Sequence, residues 1–133
     1  MQAHDPTSMN ADSEQSLAKA YECDGRAVDA MSFTRAACDP QRSVVVEACA
    51  GSGKTWLLVA RMLRLLLAGA EPSELLAITF TRKAAQEMRH RLMELLRELA
   101  LADAEQAAKI LRERGVAESE LASCIPRARQ LYE

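Results

Sequence analysis

Two short apolar runs with almost no polar interruption mark the middle of the chain. They read VVVEA (44–48) and LLAITF (75–80), and such runs are typical of strands buried on both faces of a parallel sheet. Between them, TWLLVARMLRLLLA (55–68) contains good helix formers and stops at Gly69, which predicts a helix with a glycine cap. The order strand, helix, strand predicts a βαβ unit with parallel strands and a right-handed crossover.

From Arg82 onward the apolar positions recur about every 3.6 residues, which predicts a long amphipathic helix. Its apolar face would carry Met88, Leu92, Leu95, Leu96 and Leu99. Two shorter helices are predicted at about 103–114, ended by Gly115, and at about 118–132, where Pro126 is expected to break or restart the helix. The predicted fold class is therefore α/β, with a βαβ unit followed by a helical segment.

Composition and charge narrow the class of protein. Residues 1 to about 20 are polar and acidic with few large apolar side chains, which predicts a disordered tail. With 133 residues, 49% hydrophobic and 27% charged, the chain has the length and composition of one globular domain. Its net charge of −2 excludes a protein that binds nucleic acid by overall charge, so any nucleic-acid surface must be local.

The cysteines and the apolar runs predict a cytoplasmic protein without a membrane segment. The cysteines are scattered, with no close pair at metal-ligand spacing, and this favours reduced thiols; they are Cys23, Cys38, Cys49 and Cys124. The N-terminal residues lack the apolar core of a secretory signal. The longest apolar run is interrupted by Arg61 and Arg64 and is too short to cross a bilayer.

A phosphate-binding loop is predicted where the first strand meets the helix. The pattern is Ala or Gly, four residues, then Gly-Lys and Ser or Thr, and the segment ACAGSGKT matches it. The predicted nucleotide ligands are Ala48, Cys49, Ala50, Gly51, Ser52, Gly53, Lys54 and Thr55. The glycines permit positive φ, so that successive N–H groups face one anion at a helix start. Lys54 would bridge the β- and γ-phosphates, and the Thr55 hydroxyl would hold Mg²⁺.

The end of the second predicted strand carries a different chemistry. The residues are Thr79, Phe80, Thr81, Arg82 and Lys83. Small hydroxyls, an aromatic ring and a basic helix start suit a surface that holds single-stranded nucleic acid. Taken alone, strand-end packing explains Thr79 to Thr81 equally well, and solvated charge explains the basic residues.

Taken together, these segments resemble a known family. VVVEACAGSGKT followed by LLAITFTRKAAQEMRHRL resembles motifs I and Ia of superfamily 1 DNA helicases of the UvrD/Rep type, nearest to the AddA and RecB branch. LRERG and ARQLYE resemble the start of the helical insertion, subdomain 1B, of AddA-like proteins. The resemblance implies a RecA-like P-loop NTPase start, with the N-terminal part of ATP-binding domain 1A at 23–100 and a truncated 1B insertion at 101–133. The disordered tail predicted from composition precedes them as residues 1–22.

The resemblance also implies a function. It implies an ATP-dependent DNA helicase or translocase of recombination and double-strand-break repair, which binds ATP and Mg²⁺ through residues 48–55 and single-stranded DNA near 79–83. It is compatible with a nuclease partner subunit (AddB-like). These helicases read adenine with a glutamine upstream of the loop; here Gln41 lies close to the strand, and Thr34 or a neighbour stands at the expected position.

Several catalytic parts expected of a helicase do not follow in the sequence. No apolar strand ending in Asp-Glu comes after Thr81, and no second RecA-like domain is present to supply an arginine. An N-terminal fragment of a longer helicase is therefore expected, with little or no ATPase activity alone. Two alternatives stay open: another phosphate-loop protein, such as a nucleotide kinase or a regulatory ATPase, and a non-catalytic remnant whose helices only mediate association.

Overall fold

The computed structural model describes residues 21–48, 51 and 53–133, and helices dominate this part of the chain. A two-stranded hairpin, β1 (Glu22–Cys23) and β2 (Arg26–Ala27), comes first. The helices that follow are α1 (Ala30–Cys38), α2 (Lys54–Leu67), α3 (Arg82–Leu101), α4 (Ala104–Glu113) and α5 (Leu121–Tyr132), with 3₁₀ turns at Pro72–Glu74 and Glu118–Glu120. The predicted tail (1–22) lies almost entirely outside the described residues.

The helix ends follow from local sequence. Asp29, Thr81 and Asp103 each accept a hydrogen bond from the N–H three residues ahead, so α1, α3 and α4 begin with side-chain caps. The glycine cap predicted for α2 is confirmed, because Gly69 has φ +109° and its N–H donates to the carbonyl of Leu66. Gly115 ends α4 in the same way, with φ +81°.

The core lies where α3 crosses α2 and α5. The apolar face predicted for the long helix is confirmed: Met88, Leu95, Leu96 and Leu99 are buried, and Leu92 packs against them. The other members of the cluster are Val59, Leu63, Ala107, Leu111, Val116, Leu121 and Ala128. Among residues 21–48 and 53–133, none of the helices combines the length and apolar content that a bilayer crossing requires.

The predicted βαβ unit is not found. Residues 43–48 and 75–79 are not in strands, and the sheet in the described residues is the antiparallel β1–β2 hairpin. Val45 is 91% exposed and Leu76 85% exposed. β-Branched residues favour extended backbone, but a strand also needs a hydrogen-bonding neighbour, and an isolated two-stranded sheet is only marginally stable. The predicted parallel pairing of these two runs is therefore not confirmed among the described residues.

Two further local features differ from expectation. Pro126 was expected to break the last helix, but α5 continues through it. Packing of α5 against the core, with Leu121 and Ala128 buried, offsets the lost backbone hydrogen bond.

The β1–β2 hairpin was not anticipated, although Asp24-Gly25, both at positive φ, is a strong hairpin signal. Tyr21 packs beside Phe33 of α1, with ring centroids 5.2 Å apart.

Alanine at Gly115 is expected to destabilise the fold more than alanine at Gly69. Both positions have positive φ, which costs a residue with a Cβ about 1–2 kcal/mol. A Cβ at Gly69 meets nothing within 4 Å, whereas one at Gly115 would lie 3.1 Å from the Cα of Arg35. Urea unfolding should therefore give a free energy of unfolding about 1–3 kcal/mol lower for Gly115→Ala than for Gly69→Ala. Equal losses would contradict the close approach at Gly115.

Candidate functional site

An open cleft of about 1000 Å³ lies at the start of α2. Ala48, Gly53 and Lys54 line one side of this cleft. Three aromatic side chains also line the cleft: Tyr21 before the hairpin, Phe33 of α1 and Trp56 of α2. The acidic residues Glu22, Asp24 and Glu47 line it as well. The cleft therefore combines a loop lysine with aromatic and acidic side chains, a mixture of apolar and polar groups that is usual in small-molecule sites.

The two loop glycines have the backbone conformation that the sequence pattern predicts. Gly51 and Gly53 have φ of +78° and +87°. A Cβ on either glycine would meet nothing within 4 Å, so the backbone conformation, not crowding, requires glycine here. Gly53 is the N-cap of α2, and its carbonyl accepts the N–H of Leu57 at 3.0 Å. The positive end of the helix dipole thus lies directly at the loop.

Lys54 closes the loop. Its Nζ donates a hydrogen bond to the carbonyl of Ala48 at 2.7 Å, which joins the end of the apolar run to the start of α2. An ammonium carries three donors, so a single carbonyl does not saturate it. Lys54 and Thr55 are both exposed on the first turn of α2, so that an anion at the loop can reach them. Cys49, Ala50 and Ser52, also predicted as ligands, lie outside the described residues.

The oxygen ligand at the start of α2 suits a Mg²⁺ ion that is bound together with a nucleotide. The Thr55 hydroxyl is a hard oxygen ligand at the start of α2, of the kind that Mg²⁺ accepts beside phosphate oxygens. Within the described ranges, no group of three or more His, Cys, Asp or Glu side chains could hold a metal by itself. The Thr55 hydroxyl therefore fits a Mg²⁺ ion whose other ligands are phosphate oxygens and water.

Arg61 fixes the segment that leads to the loop through hydrogen bonds to backbone carbonyls. In the sequence it was noted only as an interruption of an apolar run. Its guanidinium donates to the carbonyls of Ala37 and Asp39 at 3.0 Å, and to that of Arg42 at 2.6 Å. These bonds fix the end of α1 and the turn that leads into residues 43–48. Cys38 lies beside this clamp, and burial raises the pKa of its thiol, so the group stays neutral.

The two residues considered for recognition of the adenine base, Thr34 and Gln41, lie in different places. Thr34 lines the cleft, as does its neighbour Phe33. Gln41 lies instead in the exposed turn after α1, where its N–H donates to Oδ1 of Asp39 at 2.9 Å. The aromatic wall was missed by the sequence reasoning, although the hairpin signal would have brought Tyr21 towards α1.

The second predicted segment, Thr79 to Lys83, forms the approach to α3. The Thr81 hydroxyl accepts the N–H of Ala84 at 3.0 Å and so caps the helix. The Thr79 hydroxyl donates to the carbonyl of Thr81 at 2.8 Å. Both hydroxyls thus have local structural roles, and Arg82 and Lys83 are exposed on the first turn.

Phe80 stands apart from its neighbours. Its side chain is fully exposed, so packing at the end of a strand does not explain it. A large aromatic ring in water beside a basic helix start offers a stacking surface next to two cations. Local hydrogen bonds at the start of α3 explain Thr79 and Thr81 without a nucleic-acid ligand. They give Phe80 no structural role among the described residues.

Comparison with known families and proteins gives a consistent result. The family model of the UvrD/REP helicase N-terminal domain matches residues 31–121, which is more than half of the chain. No solved structure gives a comparable match.

Three bacterial relatives, each named as one subunit of an ATP-dependent helicase/nuclease, illustrate the similarity. The protein of Latilactobacillus sakei is 46% identical over 66 residues, which cover 50% of this chain and 7% of the relative. The protein of Bacillus velezensis is 49% identical over 63 residues, covering 44% and 5%, and that of Staphylococcus aureus is 42% identical over 67 residues, covering 50% and 6%. The chain therefore spans only a small part of the length of these relatives.

Proposed function

Because the chain belongs to the UvrD/REP helicase N-terminal domain family, we propose that it is the nucleotide-binding part of an ATP-dependent DNA helicase. The predicted resemblance to the UvrD/Rep type is confirmed by this match, and the AddA-like branch agrees with the relatives. The observation that carries the proposal is the loop at the start of α2, where two glycines at positive φ precede an exposed lysine.

ATP is the proposed ligand of the loop. The triphosphate would lie against the N–H groups of residues 48–55 at the helix start, and Lys54 would exchange its bond to the Ala48 carbonyl for the β- and γ-phosphate oxygens. The Thr55 hydroxyl would hold Mg²⁺, which neutralises phosphate charge. Tyr21, Phe33 and Trp56 give the base an apolar wall.

The proposed complete domain contains more of the sheet than the described residues form. The exposed apolar side chains of Val45, Leu76 and Ile78 need neighbours. We propose that residues 44–48 and 75–80 become parallel strands in a complete RecA-like domain, where additional strands satisfy their backbone groups. On this division, residues 23–100 belong to domain 1A and residues 101–133 to the helical insertion.

Single-stranded DNA is the proposed partner of the approach to α3. Phe80 would stack on a base, and Arg82 and Lys83 would contact phosphates near the helix start. The relatives are named as helicase/nuclease subunits, which supports a nuclease partner subunit. We propose that the two subunits act together in recombination and repair.

Phe80→Ala is expected to weaken binding of single-stranded DNA by roughly 5- to 150-fold, because stacking of a base on an aromatic ring contributes about 1–3 kcal/mol. Fluorescence anisotropy with a labelled oligothymidine measures the Kd. Met93→Ala is the matched control, since Met93 is a partly exposed apolar residue on α3 away from the helix start. An unchanged Kd in Phe80→Ala would remove Phe80 from the DNA surface.

The same titration distinguishes the proposed function from its main alternative. A helicase segment should bind both Mg-ATP and the oligothymidine, whereas a nucleotide kinase or a regulatory ATPase should bind only the nucleotide. Nucleotide binding without any DNA binding would therefore overturn the helicase assignment and favour another phosphate-loop protein. Failure to bind either ligand would favour a non-catalytic remnant.

A further inference from the structure

The helical segment that follows α3 contacts α2, the helix that begins at the phosphate loop. The turn at the end of α4 packs on α1 and α2, so closely that a Cβ at Gly115 would lie 3.1 Å from the Cα of Arg35. Arg64 of α2 donates from Nη1 to the carbonyls of Arg114 and Gly115, at 3.3 Å and 2.6 Å. This turn is therefore fixed to the helix whose first residue is Lys54.

The side chain of Arg114 reaches from this turn to the start of α2. Its guanidinium carbon lies 5.4 Å from the centre of the Trp56 ring. Nη1 also donates to the carbonyl of Ile110 at 2.9 Å, and Glu113 lies 3.9 Å away. The side chain is only 13% exposed, and burial lowers the pKa of its guanidinium, although an arginine stays protonated at neutral pH. A desolvated cation over an indole face is the strong form of the cation–π interaction.

Trp56 contacts Arg114 and also lines the cleft at the loop. It lies two residues after Lys54 on the first turn of α2, and it lines the same cleft as Lys54 and Gly53. A change in the position of the indole ring therefore changes both the contact with Arg114 and the wall of the cleft.

We propose that Arg114 is a positioning residue for the nucleotide site and acts through Trp56, so that the helical segment 104–132 and the phosphate loop are coupled. The proposal rests on the function proposed above for the loop. The contact holds the first turn of α2 against α4, and loss of the contact lets that turn open more often. Because coupling is reciprocal, nucleotide at the loop also steadies the turn around Gly115.

Amide hydrogen exchange without nucleotide tests the coupling directly. The Leu57 N–H donates to the Gly53 carbonyl at 3.0 Å and reports opening of the first turn of α2. In Arg114→Gln it should exchange roughly 5- to 30-fold faster than in the wild type. Arg114→Lys keeps the cation over the ring and should restore most of the protection. Wild-type exchange of Leu57 in folded Arg114→Gln would overturn the proposal.

A matched control comes from the same helical segment. Arg127 of α5 donates from Nε to the carbonyl of Leu66 at 3.5 Å, near the opposite end of α2. Arg127→Gln should leave the exchange of Leu57 unchanged. If Arg114→Gln does not fold, Trp56→Leu removes the contact from the other side and should give the same acceleration at Leu57; unchanged exchange in folded Trp56→Leu would equally overturn the proposal.

Addition of Mg-ATP separates this proposal from the proposed function. In the wild type the nucleotide should slow exchange of the Val116 N–H, which donates to the Leu111 carbonyl at 3.1 Å. The slowing should be lost in Arg114→Gln at nucleotide saturation, and its persistence there would contradict coupling through Arg114. If the wild-type chain binds no Mg-ATP, the proposed function is wrong. The exchange rate of the Leu57 N–H, measured without nucleotide, still decides whether the contact between Arg114 and Trp56 holds the first turn of α2.

Discussion

Lys54→Ala is expected to weaken Mg-ATP binding by roughly 10- to 150-fold, because a hydrogen bond to a charged group contributes about 1.5–3 kcal/mol. In a helicase that contains this chain, the same change should abolish hydrolysis, since the lysine neutralises charge on the transferred phosphate. The side chain is exposed and bonds only to the Ala48 carbonyl among the described residues, so the fold should be retained. Isothermal titration calorimetry measures the Kd.

Lys109→Ala is the control for this variant. Lys109 is exposed on α4 and has the same charge, so its loss reports any general effect of net charge on nucleotide binding. The Kd of Lys109→Ala should stay within about twofold of the wild type, as expected for an exposed, screened charge that does not line the cleft. Equal weakening in both variants would indicate a non-specific effect of charge and would remove Lys54 from the site.

Leu63→Ala is expected to lower the free energy of unfolding by about 2–5 kcal/mol, which is a large share of the stability of a domain of this size. Leu63 is fully buried on α2 and belongs to the cluster in which α2, α3 and α5 meet. Truncation of the Leu63 side chain leaves a cavity between α2, α3 and α5. Because each helix also packs against the others, the helices can move only partly into this cavity. Urea unfolding followed by circular dichroism measures the change.

Leu58→Ala tests the same substitution on the exposed side of the same helix. Leu58 is 48% exposed, so less apolar surface returns to water and no closed cavity forms. The expected loss is below about 1 kcal/mol. Similar losses in both variants would contradict the assignment of the core to the crossing of α2 with α3 and α5.

The helices could be predicted from the sequence because their signals are local. Thr81 and Asp103 cap helices through bonds to N–H groups three residues ahead, and Gly69 and Gly115 end helices at positive φ. The apolar period on α3 also identified the face that is buried. The strands could not be settled in this way, because the pairing of residues 44–48 and 75–80 depends on neighbours that their own pattern does not specify.

The candidate site was predictable to a similar extent. The glycines and Lys54 form a short pattern whose backbone conformation follows from residue type, and the positive φ of Gly51 and Gly53 confirms it. The contact between Trp56 and Arg114 joins residues far apart in the chain, and no local pattern indicates it. The clamp formed by Arg61 was missed for the same reason, since its carbonyl partners belong to another helix and turn.

The proposed function requires that the loop at the start of α2 holds a triphosphate. A titration of the ¹⁵N-labelled chain with Mg-ATP, followed by NMR of the backbone amides, tests it most directly. We expect the amides of Gly51, Gly53 and Lys54 to shift together and to fit one Kd, because their N–H groups lie at the loop. Saturating Mg-ATP that leaves these three amides unmoved, or shifts only residues elsewhere, would contradict it.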